Sequence, residues 1–199
     1  MKLNKENING AVKVLKNGGI AVLPTDTIYG IHCLALDKKA VERVYEVRKR
    51  DKNKPCIILI SNVKQIEKFG IGLFEKTESF FQKIWPGKVS IILPISRKHQ
   101  KEFEFLHRGV RSLGFRMPAL SGIRKIIEQT GPLISTSANF QGTSPAKNVK
   151  EAKEYFGDKA DFYLDGGALD ATPSSLAKIE HGKLEVLRKG EIDLEKVDF

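Results

Sequence analysis

Apolar residues recur along the chain in short blocks that alternate between two spacings. Ile8, Ala11, Val12 and Leu15 follow a helical stripe, and Gly18-Gly19 supplies a stop. Ile20-Ala21-Val22-Leu23 is a continuous apolar run of strand length, closed by Pro24, as expected of a buried strand. The alternation continues with a helix from Lys38 to Lys49, its Ala40, Val41, Val44, Tyr45 and Val47 turned inward, and a strand over Cys56 to Ile60. Phe74 to Trp85 reads as a helix stopped by Pro86-Gly87, and Val89 to Ile95 and Val110 to Arg116 read as strands. Leu120, Ile123, Ile126 and Ile127 mark a helix ending near Gly131-Pro132, and Leu133 to Thr136 is a strand running into Ser137-Ala138-Asn139. Val149 to Phe156 is a helix and Phe162 to Leu164 a strand. Ser174 to Ile179 and Leu184 to Arg188 form a closing pair joined by Glu180-His181-Gly182-Lys183.

Strands alternating with helices predict an α/β fold, a sheet covered by helices. The terminal hairpin makes that sheet mixed rather than all parallel. No internal repeat, low-complexity tract or linker-like shift in composition interrupts the chain, so residues 1–199 read as a single domain.

Composition adds direction. Hydrophobic residues are 41% and charged residues 29% of the chain, which suits a globular protein and argues against disorder. No run approaches the roughly 18 apolar residues of a membrane span. The first residues, Met1 to Asn7, lack the apolar core of a signal peptide, so a cytoplasmic location without membrane attachment is expected. Cys33 and Cys56 lie in apolar stretches without metal-ligand spacing and read as buried free thiols; the four histidines are scattered. Thirty-four Lys and Arg against 24 Asp and Glu give a net charge of +10, which favours an anionic partner such as a nucleotide or RNA, or else reflects a lysine-rich surface.

Placement of charge is more telling than its sum. Arg48-Lys49-Arg50-Asp51-Lys52-Asn53-Lys54 puts five cations among seven residues at a helix end, more than complementing the helix dipole requires. Arginine suits bidentate phosphate contact and lysine acts as a point charge. Open α/β sheets bind ligands at strand ends. The polar strand-end segments are Pro24 to Gly30, Ser112 to Pro118 and Leu133 to Asn139. Taken alone, the first reads as a turn capped by Asp26 and Thr27, and Arg116 in the second as a structural salt bridge. No Walker A, GxGxxG or GxSxG sequence is present, so a phosphate site must be built from side chains and short loops. Trp85-Pro86-Gly87 reads as packing at a helix end.

In their order these segments resemble the YrdC/Sua5 family of threonylcarbamoyl-AMP synthases. The likeness runs through PTDTIYG at Pro24, the KxR-like segment at Arg48, WPG at Trp85, RMP at Arg116, STSAN at Ser135, PSSL at Pro173 and LRKG at Leu187. It implies a twisted α/β fold around a large basic cleft. It also implies a reaction in which threonine, bicarbonate and ATP give threonylcarbamoyl-AMP and pyrophosphate, with Mg2+ held mainly by the ATP phosphates. Thr27, Arg116, Ser137 and Ser174 would then surround threonine, Arg116 pairing its carboxylate. Arg50, Lys54, Ser112, Asn139 and Arg188 would contact ATP, with Arg50 and Lys54 closest to the chemistry. Arg48 and Lys52 would add charge beside the phosphates, and Lys147 falls near a further nucleotide contact. The sequence departs from the family pattern at Arg48, usually lysine, at Asp51, at Lys88 and Ser90 after WPG, and at Leu59, where some relatives place a threonine-contacting histidine.

The resemblance further implies a role in threonylcarbamoyladenosine (t6A37) modification of tRNA, with a downstream threonylcarbamoyl transferase as partner. Two other readings fit the same residues: a double-stranded RNA or tRNA-binding module, and a nucleotide-binding regulatory paralogue that adenylates nothing.

Overall fold

A computed structural model describes residues 4–170 and 172–199. Helix α1 (Lys5–Lys16) starts at Asn4, whose side chain accepts a hydrogen bond from the Asn7 amide, and buries Ile8, Ala11, Val12 and Leu15. Helix α2 (Lys38–Arg48) is capped in the same way by Asp37 and ends at Lys49 in the left-handed conformation. Helices α3 (Glu75–Ile84), the short α4 (Glu104–His107), α5 (Ser121–Thr130) and α6 (Val149–Phe156) follow.

The strands are β1 (Ala21–Pro24), β2 (Tyr29–Leu34), β3 (Ile57–Leu59), β4 (Val89–Pro94), β5 (Ser112–Arg116), β6 (Leu133–Ser137), β7 (Phe162–Tyr163), β8 (Ser175–Glu180) and β9 (Lys183–Arg188). They make one nine-stranded sheet in the order β7-β1-β2-β6-β3-β5-β4-β8-β9. It is mixed, with parallel pairs at β1/β7, β3/β5 and β4/β8 and antiparallel pairs between the others. Strand β2 was not legible in the sequence. Its Ile31 and Cys33 face one way, but Gly30 and His32 face the other, so the usual apolar/polar alternation is hidden.

Period-two alternation divides every strand between two environments. One face carries Ile31, Cys33, Ile58, Ile91, Phe115 and Ile134, packed in a core with Val44 of α2, Phe80 and Phe81 of α3 and Phe156 of α6. Trp85 joins this core, stacks on Phe81 and donates from its indole nitrogen to the Val89 carbonyl. Both cysteines are free and buried in it. On the other face, α1 and α5 build a second core over Ala21, Leu23, Leu59 and Leu133. The expected covering of helices is therefore complete on one face and partial on the other. Beyond α1 and α5, the half-buried Ser112, Ile92, Leu176 and Lys178 belong to neither core. No helix among the described residues is long and apolar enough to cross a membrane.

Candidate active site

The candidate site begins at the turn joining β1 to β2. Thr25 organises this turn: its Oγ1 accepts from the Thr27 amide at 3.1 Å and the Ile28 amide at 3.2 Å and donates to the Ile28 carbonyl at 2.8 Å. The capping expected of Asp26 and Thr27 thus falls to Thr25, and those two side chains are free to reach Arg116. Arg116 donates from Nη1 to Thr27 Oγ1 at 2.9 Å, from Nη2 to Asp26 Oδ1 at 2.6 Å and from Nε to the Gly87 carbonyl at 3.2 Å. The second Asp26 oxygen accepts from the Ala119 amide at 2.8 Å. In the ladder, Arg116 stands opposite Leu59 and, across Leu133, in line with Leu34, at the far end of β2 from this turn. The tip of the β1–β2 hairpin must therefore fold back over the sheet to reach Arg116. Burial lowers the pKa of Arg116, and the neighbouring Asp26 carboxylate opposes that shift.

Under the folded tip lies a cavity of about 260 Å³. Its floor is Ile57, Leu59 and Ser135; Thr27, Gly30 and Ser137 stand on one side, and Ser90, Ser174 and Arg188 on the other. Ser90 Oγ and Ser174 Oγ are 2.9 Å apart, and Arg188 donates from Nε to the Ser174 carbonyl at 3.0 Å. Desolvation, and then the charge of Arg116, holds the Arg188 guanidinium below the usual arginine range. Arg50 enters from the loop after α2, donating to the Lys54 carbonyl at 3.0 Å and the Pro55 carbonyl at 2.8 Å. The wall thus includes three guanidinium groups, several hydroxyls and, among the described residues, no carboxylate.

Arg48 and Asn139 stand behind this wall. Arg48 is buried and donates to the Ser137 carbonyl and hydroxyl, both at 2.7 Å, and to Asn139 Oδ1 at 2.9 Å. Asn139 completes the clamp by donating to the Phe140 and Thr143 carbonyls at 2.8 and 2.6 Å. The Arg48 carbonyl accepts from the Gln141 amide, so loop 137–141 is tied to the end of α2. Burial, and then the charge of Arg50, pushes the Arg48 pKa down to about 10. Its Nη1 is buried without a partner.

Of the residues expected from the sequence, Thr27, Arg50, Arg116, Ser137, Ser174 and Arg188 line one cavity. Arg48 and Asn139 act on its wall from behind, with Arg48 Nε and Nη2 and the Asn139 amide engaged with the loop. Four do not meet there. Ser112 lies four residues before Arg116 on β5, outside the cavity lining. Lys52 opens onto a separate groove with Lys38, Glu42 and Arg108. Lys147 pairs with Asp170 at 3.0 Å on the surface. Lys54 is exposed and contributes its carbonyl to Arg50. Ser90 and Ser135, named in the sequence only as a departure after WPG and as part of STSAN and given no ligand role there, also line the cavity.

Three known relatives bear on this geometry. The sequence profile of the Sua5/YciO/YrdC family, described as Telomere recombination, matches residues 13–190. A threonylcarbamoyl-AMP synthase of Coxiella burnetii is 31% identical over 162 residues, spanning 81% of this chain and 86% of that protein. The threonylcarbamoyl-AMP synthase of Pyrococcus abyssi is 28% identical over 99% of this chain, which spans 58% of that longer protein. The crystal structure of P. abyssi Sua5 complexed with L-threonine superimposes with a TM-score of 0.88 over 98% of this chain and 57% of that one.

Proposed function

The chain belongs to the Sua5/YciO/YrdC family, and on that premise we propose that it is a threonylcarbamoyl-AMP synthase. It would use threonine, bicarbonate and ATP, release pyrophosphate, and supply a tRNA-modifying transferase in the cytoplasm. The observation that carries this reading is the convergence of Arg50, Arg116 and Arg188 on one hydroxyl-lined cavity, where Asp26 pairs with Arg116 and no carboxylate lines the wall to pair with Arg50 or Arg188. Such a wall favours a ligand with several negative charges.

Size divides the substrates. The 260 Å³ cavity is below the roughly 300–1,000 Å³ of pockets that enclose drug-sized ligands. It suits an amino acid, and the nucleotide would extend along the open sheet face toward Ser112. Arg116 would meet the threonine carboxylate through the N–H groups that Asp26, Thr27 and Gly87 leave over, with its orientation already fixed by those three. Arg50 and Arg188 would face the phosphates. The buried charge of Arg48, clamped to loop 137–141, would add positive potential from behind.

The chemistry needs no protein nucleophile. The threonine nitrogen bonds to the carbon of CO2 with loss of a proton, or to that of bicarbonate with loss of water, to give a carbamate. A carbamate oxygen then bonds to the α-phosphorus as the bond to the bridging oxygen breaks, and the electron pair leaves with pyrophosphate. Arg50 and Arg188 hold the reactants in line and offset the charge that grows on the leaving group. The described residues include no His, Cys, Asp and Glu cluster suited to a metal. Mg2+ held mainly by the ATP phosphates would offset their charge.

The test is pyrophosphate release from ATP, bicarbonate and Mg2+ with each amino acid in turn. Threonine-dependent release is expected. ATP binding with no release for any amino acid would replace this reading with the regulatory one, and steeply salt-dependent RNA binding without turnover with the RNA-binding one.

A further inference from the structure

Arg50 supplies one of the three guanidinium groups of the cavity, yet it stands on a loop whose Lys52, Asn53 and Lys54 are exposed. Its hydrogen bond to the Lys54 carbonyl is itself open to solvent, where water competes for both partners. A long side chain held only in this way keeps much of its rotamer freedom. The carbonyl that receives Arg50 must therefore be fixed from the other side.

Tyr45, on α2, is buried in the large core and meets the Arg50 loop at three points. Its carbonyl accepts from the Arg50 amide at 2.9 Å. Its hydroxyl donates at 2.9 Å to the Lys54 carbonyl, the same oxygen that receives Arg50 Nε at 3.0 Å. Its ring centroid lies 5.9 Å from the Arg50 guanidinium carbon, within the range of a cation–π contact. A carbonyl oxygen has two lone pairs, so both donors are served together. Burial, above all, raises the Tyr45 pKa, so the hydroxyl stays protonated and remains a donor. The Cys56 thiol beside it is a weak partner by comparison. The ring is pinned in turn by Arg108 at the end of α4, whose guanidinium carbon is 4.0 Å from the centroid. Arg108 also pairs at 2.9 Å with Glu42, one helical turn before Tyr45. Phenylalanine would fill the core equally well, so the contribution of the hydroxyl falls on the loop.

We propose that Tyr45 is a positioning residue for the reaction, fixing the Lys54 carbonyl so that Arg50 faces the phosphates of the nucleotide. The inference rests on the synthase reading and adds to its machinery a residue outside the cavity lining. Without the hydroxyl, the Lys54 carbonyl is free to turn toward water, and Arg50 Nε loses its fixed acceptor. The threonine end is held by a separate set of bonds, from Arg116 to Asp26, Thr27 and Gly87. Loss of the hydroxyl therefore acts on the nucleotide side alone.

The experiment is a double-mutant cycle between Tyr45→Phe and Arg50→Ala, read in pyrophosphate release with each substrate varied in turn. Phenylalanine keeps the ring in the core and removes the oxygen alone. Tyr45→Phe is expected to lower kcat/KM for ATP about tenfold, short of the roughly hundredfold that a misplacement of about 1 Å can cost. The KM for threonine should stay within about twofold of wild type. In the Arg50→Ala background the same substitution should change kcat/KM for ATP by less than about twofold, because the group it positions is gone. A tenfold loss that persists in that background, or no loss in the wild-type background, overturns the proposal. So does a KM for threonine that rises in step with that for ATP, the signature of a generally loosened core. A Tyr45→Phe chain that does not fold makes the hydroxyl a structural requirement and overturns it too. If the wild type releases no pyrophosphate with any amino acid, the synthase reading falls, and the same cycle read by calorimetry as ATP affinity decides. Weakening by Tyr45→Phe that vanishes beside Arg50→Ala supports the proposal; weakening that persists, or none at all, overturns it.

Discussion

Arg48 and Arg50 are two residues apart at the end of α2, yet their guanidinium groups face different surroundings. Arg48 turns inward to clamp Ser137 and Asn139, while Arg50 bends over the Lys54 and Pro55 carbonyls to line the cavity. The sequence reading recognised the basic segment but could not separate these roles, because spacing alone does not say which side chain the sheet will bury. For the same reason Lys52, inside the same charge run, points to another groove. Arg116 was legible both as a salt-bridge former and as a ligand contact, and its pair with Asp26 leaves both uses open. The expected division of labour can be measured. Arg50→Ala should lose most turnover, about 2.7–4 kcal/mol of transition-state stabilisation if it acts on the leaving group. Arg116→Ala should raise the KM for threonine far more than that for ATP. Steady-state kinetics in each substrate check both; equal effects of Arg116→Ala on the two KM values would refute the division.

At the scale of elements, helices and apolar strands were readable because each buries a continuous stripe, and their observed bounds lie within a few residues of those expected. Strand β2 escaped because Gly30 and His32 replace the ordinary polar residues of its second face. The β8–β9 hairpin is evident from its turn, but nothing in its residue pattern says how its ends are joined. A Cβ on Gly190 would come within 2.5 Å of the Ser175 amide nitrogen and 2.7 Å of the Pro173 carbonyl. The segment after β9 is therefore pressed against the segment that presents Ser174, with Ser175 Oγ donating to the Ile192 carbonyl and accepting from the Gly190 amide. Gly190→Ala should push these backbones apart, displacing Ser174 and with it the Arg188 and Ser90 contacts. About a tenfold or greater loss of kcat/KM is expected, in line with the cost of misplacing a positioned group. Far-ultraviolet circular dichroism should stay close to wild type, since only Ser175, the first residue of β8, takes part in the altered contact.

At the scale of the molecule, acid is the expected weakness. In the folded chain burial pulls the His32 pKa down to about 4 from an ordinary 6.5. Between these values the unfolded chain binds the proton and the folded one does not, so stability falls as pH drops from 6.5 toward 4. The contribution of this one group is about 3 kcal/mol once the pH is below both values. Acidification also adds charge to a chain already at +10. Urea titrations at pH 7 and pH 4.5 should show this loss, and His32→Leu should reduce it; an equal loss in both proteins would mean that His32 is not the sensor. The sheet that is helix-covered on one side and partly bare on the other has a further consequence. Ile58, Ile91, Phe115 and Ile134 support the large core, while their chain neighbours Ile57, Leu59, Ser90, Arg116 and Ser135 face the cavity. Selection can therefore revise what the pocket accepts at Ser90 and Ser135 while Ile91 and Ile134 beside them maintain the fold, whereas Ile57 and Leu59, which also pack in the second core, tie substrate preference to thermal robustness on β3.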